Sequence, residues 1–200
     1  MPHTDLVLAS TSPFRRALLQ RLGLPFNTAA PLVDEIRKQG EAPAALVTRL
    51  AEAKARAVAA AHPDALIIGS DQVAAIDDTV MGKPGDREGA IAQLNRASGR
   101  TVVFYTGLCL LNASTGHIQV ACEPFRVHFR RLTQGQIAGY VDQEQPFNCA
   151  GSFRSEGLGI ALFDRLEGND PSALIGLPLI RLIAMLGAEG VDLLASPHGG

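Results

Sequence analysis

A chain of 200 residues with 46% hydrophobic side chains is long enough to bury the core of one compact domain. Its formal net charge of −2 argues against binding to a nucleic-acid polymer or a membrane surface, since both attract basic proteins. The sequence contains no apolar run of transmembrane length and no secretory signal, and its three cysteines lack metal-ligand spacing. We therefore expect a protein of the reducing cytoplasm.

The first predicted unit is a strand that runs directly into a helix. Residues 6–9 form a short apolar run, and Ser12 followed by Pro13 is typical of a helix N-terminus. Arg15 and Arg16 then fall in the first helical turn, where the helix dipole disfavours cations. Backbone N–H groups, serine hydroxyls and two guanidiniums therefore converge, which suits an anion such as a phosphate chain. A capped surface helix with solvated arginines is the alternative that the pattern leaves open.

A longer helix is predicted from Pro43 to about His62, with one face of leucine, valine and alanine. Lys54 projects within that apolar arc, between Leu50 and Val58. Its side chain either runs along the core to reach solvent or points into a ligand cleft. The pattern favours neither interpretation.

Asp71 is the leading candidate for a catalytic or metal-binding carboxylate. Residues 66–68 predict a central buried strand and residues 73–76 its continuation, and the polar residues 70–72 interrupt the apolar run between them. A carboxylate between two apolar runs is costly to bury unless it has partners. In open α/β sheets, ligands bind at the carboxyl ends of strands, where this carboxylate is expected.

The remaining elements predict an α/β fold. In chain order they are a strand at 24–28, a hairpin turn at 77–78, a loop at 82–84, a helix at 86–97, a hairpin formed by 101–111 and 117–129, a helix at 133–142, a glycine-containing loop at 147–157, a strand at 158–163 and a helix at 177–186. We expect a mixed, strongly twisted central sheet flanked by helices, in two lobes around a deep cleft. One domain would span residues 1–187, followed by a C-terminal tail at 188–200.

Six short motifs occur in a fixed order along the chain. They are Ala9–Arg16 (ASTSPFRR), Val33–Glu35 (VDE), Lys54, Gly69–Val73 (GSDQV), Gly82–Pro84 (GKP) and Cys149–Gly157 (CAGSFRSEG). Each is weak alone, but together they resemble the Maf-like nucleoside triphosphate pyrophosphatases. The resemblance extends from Leu6 to about Leu186.

The resemblance implies an inosine-triphosphatase-like fold that hydrolyses a nucleoside triphosphate to a monophosphate and pyrophosphate. It implies Asp71 as the catalytic aspartate and Glu35 as a second acidic position, and these two carboxylates can hold a divalent cation, Mg²⁺ or Mn²⁺. The implied phosphate-binding positions are Ser10, Ser12, Arg15, Arg16, Lys54 and Lys83. Their four cations match the roughly four negative charges of a triphosphate. Family members are often homodimers, so a homodimer is possible here.

Three positions of the motifs resemble base selectors, namely Phe14, Gln72 and Glu156. This set is similar to that of the family branch that hydrolyses 7-methyl-GTP. Methylation at N7 makes guanine cationic, and an aromatic face such as that of Phe14 attracts a cationic ring. Glu156 can accept hydrogen bonds from the N1–H and the exocyclic amine of guanine.

Other functions stay open at this point. The chain could be a pyrophosphatase for dTTP and UTP, whose branch differs from this sequence at the three selector positions. It could instead be a non-catalytic nucleotide-binding regulator of cell division, or a nucleotidyltransferase that releases the same pyrophosphate. A cysteine nucleophile at Cys149 is a weaker alternative, since no histidine or cationic helix start lies nearby in sequence.

Overall fold

The computed structural model describes residues 5–194, in which one mixed β-sheet is flanked by helices. The strands are β1 (Leu6–Ala9), β2 (Asn27–Ala29), β3 (Leu66–Ile76), β4 (Thr79–Met81), β5 (Thr101–Asn112), β6 (Ile118–Phe129) and β7 (Phe163–Glu167). The helices are α1 (Pro13–Gln20), α2 (Pro43–Ala59), α3 (Arg87–Ala97), α4 (Gln134–Glu144), α5 (Pro171–Ile175) and α6 (Leu179–Ala188). Two short 3-10 segments lie at Ala150–Ser152 and Leu158–Leu162.

The sheet has the strand order β2-β1-β3-β5-β6-β7, with β4 paired to β3. The strand β1 is parallel to both β2 and β3, whereas the pairs from β3 to β7 are antiparallel. This arrangement confirms the predicted α/β class with a mixed central sheet. The division into two lobes stays a prediction.

The two faces of the sheet carry different helices. Leu8 and Ile68 belong to an apolar cluster with residues of α1 and α6, whereas Val7 and Ile67 belong to a cluster with residues of α2. Side chains alternate between the faces of a strand, so burial on both faces gives β1 and β3 their continuous apolar runs. The same alternation decides which polar side chains of β3 face which helix.

Helix α2 lies unusually close to the sheet because two glycines face it. A Cβ atom on Gly69 would lie 2.0 Å from the carbonyl oxygen of Ala51, and one on Gly107 would lie 2.1 Å from that of Val47. Gly107 is also the β5 partner of Asp71. The backbone of α2 therefore contacts the sheet directly beside Asp71, at a distance that no side chain would allow.

The predicted central strand is confirmed, and it continues through the polar residues 70–72. Strand β3 runs without a break from Leu66 to Ile76, and β5 pairs with it from Leu66 to Ala75. The strand continues because its backbone hydrogen bonds are satisfied by β5 whatever the polarity of the side chains. Asp71 consequently lies within a strand, two residues beyond Gly69, which pairs with the last residue of β1.

The predicted strand at 158–163 is wrong for most of its length. Residues 158–162 form a 3-10 segment, and β7 begins only at Phe163. The chain folds back tightly here, since a Cβ atom on Gly159 would lie 2.1 Å from the carbonyl oxygen of Arg154. Helix α5 was not predicted, because five residues are too few to show a helical period.

The C-terminal segment is partly described. Helix α6 ends at Ala188, where the predicted tail begins, and residues 195–200 of that tail lie outside the described part of the chain. Across residues 5–194, no helix combines the length and the apolar character needed to cross a bilayer.

The close approach of α2 gives a stability test. We expect Gly69→Ala to lower the free energy of unfolding by about 3 kcal/mol or more, because the added methyl group meets backbone atoms that cannot rotate away. The matched control is Gly139→Ala in α4, where a Cβ atom would meet nothing within 4 Å. That change should be neutral or stabilising by up to about 1 kcal/mol. Denaturant unfolding measures both, and equal midpoints for the two variants would contradict the close contact.

Candidate active site

The site lies where one edge of β3 has no strand beside it. On that edge, β1 pairs with β3 as far as Gly69, and β4 begins its pairing at Ala74. A cavity of about 770 Å³ opens at the intervening stretch. Ten of the predicted site residues line this cavity: Ser10, Ser12, Phe14, Arg15, Glu35, Lys54, Asp71, Gln72, Lys83 and Glu156.

The centre of the site is an ammonium group shared by two carboxylates. Lys54 Nζ lies 2.6 Å from Asp71 Oδ1 and 2.6 Å from Glu35 Oε1. The Lys54 side chain is only 8% exposed and that of Asp71 only 10%. The side chain of Lys54 therefore points inward to the site and does not extend to solvent. Hydrogen bonding to Lys54 holds the pKa of the Glu35 carboxyl below its ordinary value, and burial opposes that shift.

Arg15 is fixed at the start of α1 through both its backbone and its side chain. The Ser12 hydroxyl caps the helix by accepting from the Arg15 backbone N–H at 3.4 Å, and the Ser10 hydroxyl accepts from the Ser12 N–H at 3.1 Å. The Arg15 side chain donates from Nε to the Gly176 carbonyl at 2.8 Å. Burial lowers the pKa of the Arg15 guanidinium, and the charges of Asp71 and Glu35 oppose that shift, as expected for three groups that share one site.

Arg16 is not brought to the cavity. Its side chain is exposed and is absent from the residues that line the cavity. Successive residues of a helix point about 100° apart, so Arg15 faces the cavity while Arg16 points away from it. The phosphate-binding role of Arg16 stays a prediction.

Helix α5 supplies backbone acceptors to several site residues. The Gly176 carbonyl, which accepts from Arg15, also accepts from the buried hydroxyl of Ser70 at 3.0 Å. Gln72 donates from Nε2 to the carbonyls of Ala173 and Leu174, at 2.7 and 3.1 Å, and lies 3.0 Å from the Thr106 hydroxyl. The amide nitrogen of Gln72 is thus fully engaged, which leaves its amide oxygen to meet a ligand.

Asp170 holds α5 in place and was not singled out from the sequence. Its buried carboxylate accepts from the backbone and hydroxyl of Ser172 and, at 2.7 Å, from the N–H of Ile180 in α6. The Asp-Pro-Ser order of residues 170–172 is a helix N-cap signal that could have located this helix. Its brevity hid it.

The base-selector candidates reach the cavity from different elements, Phe14 from α1, Gln72 from β3 and Glu156 from a loop. Phe14 is 39% exposed, which leaves ring surface available to a ligand. Glu156 is exposed and accepts from the Ser155 hydroxyl at 3.2 Å. Its loop is anchored by Phe153, which packs edge-to-face against Phe104, Phe129 and Phe163 at ring separations of 4.7–5.6 Å. Lys83 is an exposed loop residue at the same cavity.

The two carboxylates fit a hard divalent cation that binds together with a phosphate ligand. Lys54 engages one oxygen of each, Asp71 Oδ1 and Glu35 Oε1, so the second oxygen of each is available. Residues 5–194 contain no cluster of three or more histidine, cysteine or acidic side chains able to cage a metal. Mg²⁺ is commonly held by one or two carboxylates, with water and substrate phosphates completing its coordination.

The fold matches a known architecture. The solved structure of the Staphylococcus aureus Ham1 protein superposes with a TM-score of 0.53 at 15% sequence identity, covering 93% of this chain and 100% of that protein. An identity this low indicates a common α/β fold.

Sequence comparison gives the family. The model of the family described as Maf-like protein matches residues 5–189. A protein of Alcanivorax borkumensis named 7-methyl-GTP pyrophosphatase is 62% identical over 188 residues, covering 94% of this chain and 95% of the relative. A protein of Vibrio vulnificus with the same name is 55% identical over 194 residues, covering 97% and 100%. The chain belongs to the Maf-like family, and the predicted resemblance is confirmed.

The shared ammonium group gives a second stability test. We expect Lys54→Met to cost about 3 kcal/mol of unfolding free energy, because it leaves the nearly buried carboxylate of Asp71 without a partner. The double variant Lys54→Met/Asp71→Asn removes that uncompensated charge and should recover most of the loss. Denaturant unfolding at neutral pH measures both. A double variant less stable than Lys54→Met alone would contradict the pairing.

Proposed function

We propose that this protein hydrolyses 7-methyl-GTP to 7-methyl-GMP and pyrophosphate and so clears a non-standard nucleotide. The observation that carries the proposal is the Lys54 ammonium between Asp71 and Glu35 in a cavity large enough for a nucleotide. The names of relatives at 54–62% identity support it independently.

Phosphate binding is proposed for the residues around the start of α1. Arg15 is held by Gly176 and keeps its terminal guanidinium N–H groups for a phosphate. Lys54 and Lys83 add positive charge from α2 and from the loop after β4. The hydroxyls of Ser10 and Ser12 and the free N–H groups of the helix N-terminus add uncharged donors.

Glu35 and Asp71 are proposed to hold Mg²⁺ or Mn²⁺ through the oxygens that Lys54 does not engage. Such a cation, when bound, neutralises charge on the phosphates and lowers the pKa of a bound water. Asp71 orients the attacking water and accepts its proton, while the bond between the α- and β-phosphates breaks and pyrophosphate leaves. Lys54 keeps the two carboxylates together at neutral pH although both are negatively charged.

Base recognition is proposed for Phe14, Gln72 and Glu156. Because the Gln72 amide nitrogen is engaged by α5, Gln72 can offer a base only its acceptor oxygen. Glu156 is also an acceptor, so together they suit a base that presents several donors on one edge, as guanine does. The exposed ring face of Phe14 suits the positive charge of a methylated guanine.

A substrate panel tests this specificity. We expect pyrophosphate release from 7-methyl-GTP with a kcat/KM at least about tenfold above that for dTTP or UTP, because those bases offer fewer donors to two acceptors. Addition of a chelator should stop the reaction, and Mg²⁺ or Mn²⁺ should restore it. A reversed preference would identify a dTTP and UTP pyrophosphatase. Tight binding without turnover would indicate a regulator, and a nucleotide adduct would indicate a transferase.

The role of Asp71 has its own test. We expect Asp71→Asn to lower kcat by about a thousandfold while the Kd for the nucleotide changes only a few-fold, because the amide cannot accept the proton of the attacking water. Asp78→Asn is the matched control, since Asp78 lies exposed in the turn that follows the same strand. Steady-state kinetics and calorimetric binding provide the two constants. Full activity in Asp71→Asn would rule out the proposed base.

The predicted homodimer, the cytoplasmic location and the domain limits 1–187 stay predictions.

A further inference from the structure

A pair of ionised side chains at the start of α2 ties down the loop that carries Glu35. Arg49 Nε lies 2.6 Å from Glu41 Oε1, and a terminal nitrogen of Arg49 lies 2.8 Å from Glu41 Oε2. The same terminal nitrogen donates to the carbonyl of Ile36 at 3.1 Å. The side chains of Arg49 and Glu41 are 28% and 9% exposed, so this two-point ion pair lies at the surface and is only partly covered.

Glu41 also accepts hydrogen bonds from two other residues of the loop. Its backbone carbonyl accepts from Arg37 Nε at 2.8 Å and from a terminal nitrogen of Arg37 at 2.6 Å. Its carboxylate accepts from the Lys38 backbone N–H at 3.0 Å. The hydrogen bonds from Arg49 lower the pKa of the Glu41 carboxyl to about 2, so the carboxylate stays ionised at neutral pH.

Hydrophobic burial contributes little to the position of this loop. Residues 30–42 form no helix or strand, and Leu32 and Ile36 are 93% and 75% exposed. Within the described residues, the loop is held to α2 by the ion pair of Glu35 with Lys54 and by the polar contacts of Arg49 and Glu41. The contacts of Arg49 and Glu41 end at Ile36, the residue next to Glu35.

The geometry points to Arg49 and Glu41 as positioning residues for the metal-binding carboxylate of Glu35. Arg49 and Lys54 belong to the same helix, so α2 holds Glu35 directly through the Lys54 ammonium and indirectly through the Ile36 carbonyl. Neither Arg49 nor Glu41 needs to touch the nucleotide. The inference rests on the proposed function in one respect, the assignment of Glu35 to the divalent cation.

The primary variant is Arg49→Lys, which keeps the charge but cannot engage both Glu41 oxygens and the Ile36 carbonyl together. We expect the Mn²⁺ concentration for half-maximal rate to rise about tenfold, as is typical when a group that orients a metal ligand is lost. At saturating Mn²⁺, the KM for the nucleotide should stay within about twofold of wild type, because the phosphate-binding cations are unaltered. The control is Arg56→Lys, since Arg56 pairs with Glu52 on the exposed side of α2, 2.8 Å away. Its metal dependence should match wild type.

A double-mutant cycle separates positioning from general structural damage. If Arg49 acts through Glu35, then Arg49→Lys should have almost no further effect on metal dependence in a Glu35→Gln background. Effects that add in full would overturn the inference. An unchanged metal dependence in the Arg49→Lys single variant would overturn it as well.

Hydrogen exchange tests the loop without substrate or metal. Arg49→Lys and Glu41→Gln should raise the exchange of the amides of residues 36–41 at least several-fold, while Arg56→Lys leaves them unchanged. Unchanged amide exchange in both Arg49→Lys and Glu41→Gln would contradict the inference that these two residues hold the loop against α2. This measurement decides the inference even if the substrate panel shows no turnover, so failure of the proposed function and failure of the positioning role give different results.

Discussion

The structure depends on one cation held between two anions. Lys54 lies on the apolar face of α2 and would be costly to bury alone, and Asp71 lies inside a central strand where an unpaired carboxylate would be equally costly. The charge of each compensates that of the other, and Glu35 forms a second ion pair with Lys54 from a loop. The contact forms because Gly69 and Gly107 let α2 lie directly on the sheet. Core packing and site geometry are therefore set by the same pair of elements.

The second determinant is helix α5, which acts through its backbone. The carbonyl of Gly176, the residue after α5, fixes Arg15 on the proposed phosphate side. Carbonyls of the helix fix Gln72 on the proposed base side, and Asp170 fixes the helix itself. Donors bound to carbonyls of a buried short helix lose little further entropy when a ligand arrives. The cavity is therefore built largely in advance, apart from the loop of Glu35, whose position depends on polar contacts at the surface.

Local patterns in the sequence predicted most of the site. Asp71 was found because a carboxylate between two apolar runs needs a partner, and Lys54 was found because a lysine interrupts an apolar helical face. Arg16 does not line the cavity because adjacent helical residues diverge in direction, and its predicted role stays a prediction. Arg49 and Glu41 were missed because their pairing depends on the path of an irregular loop, which no periodicity encodes. The continuation of β3 beyond its polar residues 70–72 was predicted from the apolar runs on either side, and pairing with β5 accounts for it.

Gln72 and Arg15 are both held by backbone carbonyls at the end of α5, which affects how the proposed base preference can change. Gln72 is bonded to two carbonyls of a five-residue helix whose next residue, Gly176, holds Arg15. Replacing Gln72 by a shorter side chain would leave the Ala173 carbonyl to Thr106, which donates to it at 2.9 Å, and would leave the Leu174 carbonyl without Gln72. If Gln72 selects the base as proposed, a substitution there that changes the selectivity also changes the hydrogen bonds that α5 makes with the sheet.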